Sequence, residues 1–250
     1  MNRMKDQVAR ENRKALPRFI GSLLLFALLG GIGGFFVSIA GFSGLASWLQ
    51  TGLTEALSVL VPWGIPVSSL ILLGIGLGLY RSAKSRYDRW DGEDEQLAEG
   101  IEITLSYVLL VTALATILDF FFLSAAFLSD TPLITALLFL ASVVLVVLLQ
   151  QRAVDLTRRM NPEKRGSVYD MKFQKKWMDS CDEAERAQIG QASYQAVQAA
   201  NIVCLVLWVV FTVLNFSFDI GLLPSLAVLV VFGVLQVTYC LTCIRLTRSK

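Results

Sequence analysis

Few residues in this chain are equipped for chemistry. None of its 250 residues is histidine. Gly41, Phe42, Ser43 and Gly44 spell a G-x-S-G string of the kind that surrounds intramembrane serine nucleophiles. A serine there needs a base to take its proton, ordinarily histidine. Without one, the string reads as an outer turn. The same absence removes H-E-x-x-H metalloproteases and histidine-ligated zinc. There is no Gly-Lys dipeptide, so the chain carries no P-loop. Cys240 and Cys243 lie i,i+3, a spacing that can be redox-active or bind a soft metal. Alone they supply two ligands, and ordinary helix packing is the expectation. No catalytic, metal or cofactor site is expected, and the chain is read as a non-enzyme.

Asp119 is the one ionisable residue well inside an apolar run. Intramembrane acids are costly and often functional. It follows Ile101 by 18 residues (119 − 101), or about 27 Å of helix, which places it near the outer end of its run. Asn215 should reach a similar depth in another run. A hydrogen bond between Asp119 and Asn215 is therefore expected, worth roughly 0.6–2 kcal/mol. Thr104, Ser106, Thr112, Thr116, Asn201 and Thr212 are the other polar side chains able to line a path.

The elements that must position these residues are membrane spans. Hydrophobic residues make up 55% of the chain and fall in long runs, each near the roughly 20 residues needed to cross a bilayer. The predicted fold is all-α, a polytopic bundle of six transmembrane helices. They lie near 19–39, 65–80, 101–122, 133–150, 199–218 and 222–241. A basic arm covers 1–18. The first hairpin, 19–80, includes an amphipathic helix at 46–61 lying in the outer interface, with Trp48 near the headgroups. Pro62 and Pro66 separate that helix from span two; the alternative is one long kinked span over 53–80. A polar loop at 81–99 leads to the second hairpin, 100–150. A longer polar segment, 151–197, leads to the third, 198–245, and a tail at 246–250 ends the chain. Asp130, Thr131 and Pro132 read as a helix start. Gly30 with Gly34, and Gly74 with Gly78, form small-xxx-small pairs that predict close packing within the first hairpin.

Charge sets the orientation. All 22 Lys and Arg residues fall in four segments: six in 1–18, four in 81–99, nine in 151–197 and three in 245–250. Six spans put those segments on one side, and the positive-inside rule makes that side the cytoplasm. A cell-membrane protein with both ends cytoplasmic is the expectation. Glu55, Asp130 and Asp219 are the only charges expected outside.

The segment 151–197 carries the most information. Asn161-Pro162 opens a turn that Gly166-Ser167 breaks. Ser180 and Glu183 have capping-box spacing, and Asp182 could pair with Arg186. One continuous helix is predicted from about Asp182 to about Phe218, roughly 55 Å long. Tyr169, Phe173 and Trp177 are candidate anchors for a soluble partner, since aromatic residues tend to dominate interfaces. The run Asn161-Pro162-Glu163-Lys164-Arg165-Gly166-Ser167-Val168-Tyr169-Asp170, followed by Phe173, Trp177, Cys181, Asp182 and Glu183, resembles the hallmark of an uncharacterised family. These are six-span membrane proteins of Gram-positive bacteria, a domain of unknown function. The resemblance implies a regulatory or stress context, because such proteins are often encoded beside small helix-turn-helix regulators. It implies no catalytic residues.

The expected partners are the lipid bilayer, including anionic headgroups, and a cytoplasmic protein, either a regulator or an ATPase. Nucleic acid is not expected, because 81–99 and 151–197 also carry many acids. The leading functional expectation is a non-enzymatic regulator or sensor working through its cytoplasmic segments. The alternative is a transport permease, as a membrane subunit with a separate ATPase or as a peptide self-protection protein.

Overall fold

A computed structural model describes residues 17, 20, 21, 24, 25, 28, 43–126, 131–218 and 220–248. Among these the regular structure is helical. Predicted span one, the basic arm, Gly30, Gly34, Asp130 and Asp219 lie mostly or wholly outside the described residues. Six helices follow in order: α1 Ser43–Tyr87, α2 Glu95–Ser124, α3 Pro132–Met160, α4 Phe173–Asp179, α5 Glu183–Phe218 and α6 Leu223–Arg248. All but the short α4 are long and apolar enough to cross a membrane. The protein is a multi-pass membrane protein.

The first correction concerns α1. The sequence reading separates an interfacial helix at 46–61 from span two at Pro62 and Pro66. The structure has instead one 45-residue helix with both prolines inside it. Each proline removes only one N–H, whereas ending the helix would free several polar backbone groups, which apolar surroundings do not satisfy. Packing also holds the chain helical through this point: Val61 and Ile65 are fully buried on either side of Gly64. At about 68 Å, α1 is longer than the roughly 30 Å hydrocarbon core it can cross.

The chain divides into two compact units, residues 50–192 and residues 1–49 with 193–250. In the first, α1, α2 and α3 share one apolar core. Ile101, Leu105 and Val108 of α2 meet Leu149, Ala153, Leu156 and Met160 of α3 and Ala83 of α1. The buried residues of α2 are Ile101, Leu105, Val108, Thr112, Ala115 and Asp119. Their spacing alternates four and three, the period of a coiled-coil seam. The seam of α3 does the same from Ser142 through Val146, Leu149, Ala153 and Leu156 to Met160. Outward-facing residues such as Leu70, Ile117 and Leu140 are exposed and apolar, suited to lipid rather than water.

Among the described residues close helix approach occurs at Gly64 and Gly76; span one, the predicted partner of Gly74 and Gly78, lies mostly outside the described residues. A Cβ on Gly64 would stand 2.2 Å from the Phe122 ring, and one on Gly76 would stand 2.9 Å from a Leu149 methyl. Among the described residues nothing lies within 4 Å of a Cβ built on Gly74 or Gly78.

In the second unit, the later turns of α5 and much of α6 present apolar side chains, including Leu205, Val209, Val230 and Val234, as exposed surface. The helix predicted from about Asp182 to Phe218 is a single 36-residue element, Glu183–Phe218.

Candidate partner platform and intramembrane polar cluster

Two polar features stand out, both within residues 50–192. One is built from the loops between helices. The other lies among the helices.

The loop feature begins with the turn after α1. Asp91 accepts the N–H groups of Glu93 and Asp94, at 3.0 and 3.2 Å. These bonds hold its carboxyl below the usual carboxylate range. Asp94 caps α2 by accepting Leu97 N–H at 3.0 Å, and Trp90 donates its ring N–H to Asp94 O. Each bond satisfies a donor that a turn or helix start would otherwise leave free.

The longer loop, from Asn161 to Asp182, is tied down at three points. Asn161 donates to Glu102 of α2 at 2.8 Å. Gln151, buried on α3, accepts both Ser167 Oγ and Val168 N–H through Oε1, while its Nε2 donates to Asp155. Lys164 is 5% exposed and forms an ion pair with Glu185. Burial alone would pull the Lys164 ammonium down. The hydrogen bond and charge of Glu185, with charge from Cys181 and Glu163, outweigh that and leave its pKa above the usual lysine value.

Glu185 also completes a capping box. Its carboxylate accepts Asp182 N–H at 3.0 Å, and Asp182 accepts Glu185 N–H at 2.8 Å. The predicted box at Ser180 and Glu183 is thus displaced by two residues. Ser180 instead accepts Arg165 N–H and donates to Trp177 O. Nor does Arg186 pair with Asp182: its guanidinium donates to Met178 O and Asp179 O, closing the turn before α5.

The three predicted anchors separate. Tyr169 is 63% exposed. Phe173 and Trp177 stack on each other, with ring centroids 5.6 Å apart. Phe173 also covers Gly166, which adopts φ +126°, and a Cβ there would meet the ring at 2.9 Å. These two rings therefore hold the loop together, and the exposed apolar contacts fall to Tyr169 and Met171, the latter fully exposed. The sequence reading missed Met171, Gln151 and the Lys164–Glu185 pair. Within this loop, Asp170 takes bonds from the Lys176 ammonium and Lys172 N–H, which lower its pKa.

The helix feature centres on Asp119, which is 0% exposed. Ser142 of α3 donates to Asp119 Oδ2 at 2.6 Å, and Ser69 of α1 donates to Oδ1 at 3.3 Å. The two serine oxygens are themselves 2.7 Å apart. The carboxyl thus ties three helices together. The expected partner, Asn215, belongs to the other compact unit. Its Oδ1 is buried with no hydrogen bond among the described residues. Asp119 stands five residues (124 − 119), about 7.5 Å, before the end of α2, and Ser142 ten residues (142 − 132), about 15 Å, into α3.

Most of the hydroxyls expected to line a path are spent on their own helices. Thr104 donates to Gly100 O, Ser106 to Glu102 O, Thr116 to Thr112 O and Thr212 to Trp208 O. Thr112 donates to Leu109 O and accepts Gln150 Nε2. Asn201 Oδ1 is buried without a hydrogen bond among the described residues. A groove of about 540 Å³ does run between α1 and α3, lined by Ile65, Leu73, Leu145 and Leu149, with Ser69 and Ser142 in its wall and Arg152 along it. Gly74 lines it too, which is why its Cβ position is open. Cys181 and Cys204 are buried and Cys240 and Cys243 exposed, all free thiols. Among the described residues no group of three or more His, Cys, Asp or Glu is placed to hold a metal.

The chain belongs to the family described as protein of unknown function (DUF3169), whose model matches residues 13–242. No curated protein and no solved structure matches it.

Proposed function

We propose that this multi-pass protein is a non-enzymatic regulator or sensor of the cell membrane that holds a soluble cytoplasmic partner on the loop platform formed by 88–94 and 161–182. Its six spans, counting 19–39, place the four basic segments and both termini in the cytoplasm. The observation that carries the reading is the way the longer loop is built. A 22-residue connection (161–182) without function has little reason to be fixed at Glu102, Gln151 and Glu185. Fixing it costs conformational entropy, and the result is a preorganised surface that offers Tyr169 and Met171 to the aqueous phase.

The test is a comparison of proteins retained by the wild type and by a Tyr169→Ala, Met171→Asp variant, both purified from their native membrane. A defined component lost in the variant, with membrane insertion unchanged, supports the reading. An identical retained set contradicts it.

A permease working with a separate ATPase is favoured by one observation, the groove between α1 and α3. Filling it with Leu73→Trp should then abolish transport while leaving partner retention intact.

A further inference from the structure

We infer that Asp119, Ser69 and Ser142 form a proton-binding site inside the membrane, and that the bound proton locks α1 to α3 beside the groove. The basis is a count of hydrogens. Three oxygen–oxygen contacts close a ring: Ser142 to Asp119 Oδ2 at 2.6 Å, Ser69 to Ser142 at 2.7 Å and Ser69 to Asp119 Oδ1 at 3.3 Å. Each serine has one hydroxyl hydrogen, so the serines supply two. Ser142 spends its hydrogen on Oδ2. If Ser69 donates to Ser142, Oδ1 has no donor among the described residues. If Ser69 donates to Oδ1, the 2.7 Å contact between the serines has no hydrogen and sets lone pair against lone pair.

A third hydrogen, carried on Oδ1, closes the ring. Oδ1 then donates to Ser69, Ser69 to Ser142 and Ser142 to Oδ2. Every polar atom of a fully buried carboxyl is satisfied, as buried groups require. No charge on the three helices competes for this role. The nearest charged groups along α1 and α3 are Arg81, 12 residues from Ser69, and Arg152, ten residues from Ser142, or about 18 and 15 Å by helical rise. Tyr80 and Tyr107 are the nearest phenols on α1 and α2, 11 residues from Ser69 and 12 from Asp119, about 16 and 18 Å by the same measure. The carboxyl is thus surrounded by hydroxyls and hydrocarbon, where an ionised acid is expensive.

Loss of the proton leaves two hydrogens for three contacts, so one pair of oxygens must separate. The ionised carboxylate is the stronger acceptor and takes both hydroxyl hydrogens, so the pair left without one is Ser69 and Ser142. Both serines line the groove, so the separation falls between α1 and α3, and proton release opens the groove wall. The ligand is the proton itself, and what it controls is the spacing of two helices.

Infrared spectroscopy of the full-length protein in lipid vesicles tests the site. At neutral pH the wild type should show a carboxylic-acid C=O band that Asp119→Asn removes. The same band should give way to carboxylate bands at alkaline pH. If Asp119→Asn removes only carboxylate bands, the proposal is overturned. Should Asp119→Asn fail to fold, Ser142→Ala serves instead, shifting the acid band to higher frequency as its carbonyl loses a donor; an unshifted spectrum has the same negative force. The lock is tested with spin labels at Leu70→Cys and Leu145→Cys, the four native cysteines being replaced by serine. Their separation should lengthen between neutral and alkaline pH, and should be pH-independent in Asp119→Asn, where the amide supplies hydrogens at every pH. A wild-type separation that does not change with pH overturns the lock.

Discussion

The Lys164 ammonium ends on Glu185 Oε2, the same oxygen that accepts the Asp182 N–H. One carboxylate thus closes the capping box of α5 and anchors the loop that precedes it. Loop order and helix start are coupled through a single side chain.

Removing the lysine should therefore disturb both. Lys164→Met leaves Glu185 partly solvated and still able to cap, so the loss is moderate, about 1–3 kcal/mol. Glu185→Ala also removes the cap and strands a buried ammonium, and should cost more. Thermal unfolding in detergent ranks the two. Amide hydrogen exchange should quicken over 161–170 in Lys164→Met, and over 183–186 as well in Glu185→Ala. Equal protection in both variants would contradict the coupling.

Asp170 gives the platform a pH limit. Its carboxyl is lowered from 3.8 by the Lys176 hydrogen bond first and the Lys172 N–H second. A depressed carboxyl contributes stability above its unfolded pKa, and that contribution is lost as pH falls through the lower folded value. The 167–176 turn should hold its protection at pH 5 and lose it only in stronger acid, below the ordinary aspartate range. Asp170→Asn should lose protection at neutral pH and abolish the acid transition. Limited proteolysis across a pH series reads both.

Gly64 and Gly74 should respond oppositely to one methyl group. Gly64→Ala drives a Cβ into the Phe122 ring, where α1 and α2 are in contact. Overpacking of this kind costs about 1–3 kcal/mol. Gly74→Ala meets nothing among the described residues and gains helix propensity, so it should change stability by less than about 0.5 kcal/mol in detergent. Similar losses from both would place the helix contact elsewhere.

Much of this architecture was legible because apolar runs, basic loops and the turn at Asn161-Pro162 are local signals. The long α5 was legible for the same reason: nothing between Asp182 and Phe218 except Gly190 interrupts it. The course of α1 was not, since the decision at Pro62 and Pro66 is made by packing at Val61, Gly64 and Ile65. The partner of Asp119 had a readable clue. Eighteen residues are five turns of 3.6, so Asp119 shares a face with Ile101 and belongs on the α2 seam. That face points to α3. Ser142, seven residues before Leu149, continues the matching seam. Lys164 and Gln151 left no such trace. Their partners, Glu185 and the 167–168 backbone, are set by how the loop folds back, and spacing does not encode that.

The most direct test is a photo-crosslinking side chain placed at Met171 in the full-length protein in its native membrane, with Lys175 as the control position. Irradiation should give one discrete adduct with a soluble cytoplasmic protein at position 171, absent at 175 and lost on Tyr169→Ala. Adducts with lipid alone, or the same pattern at both positions, would contradict a partner-holding platform.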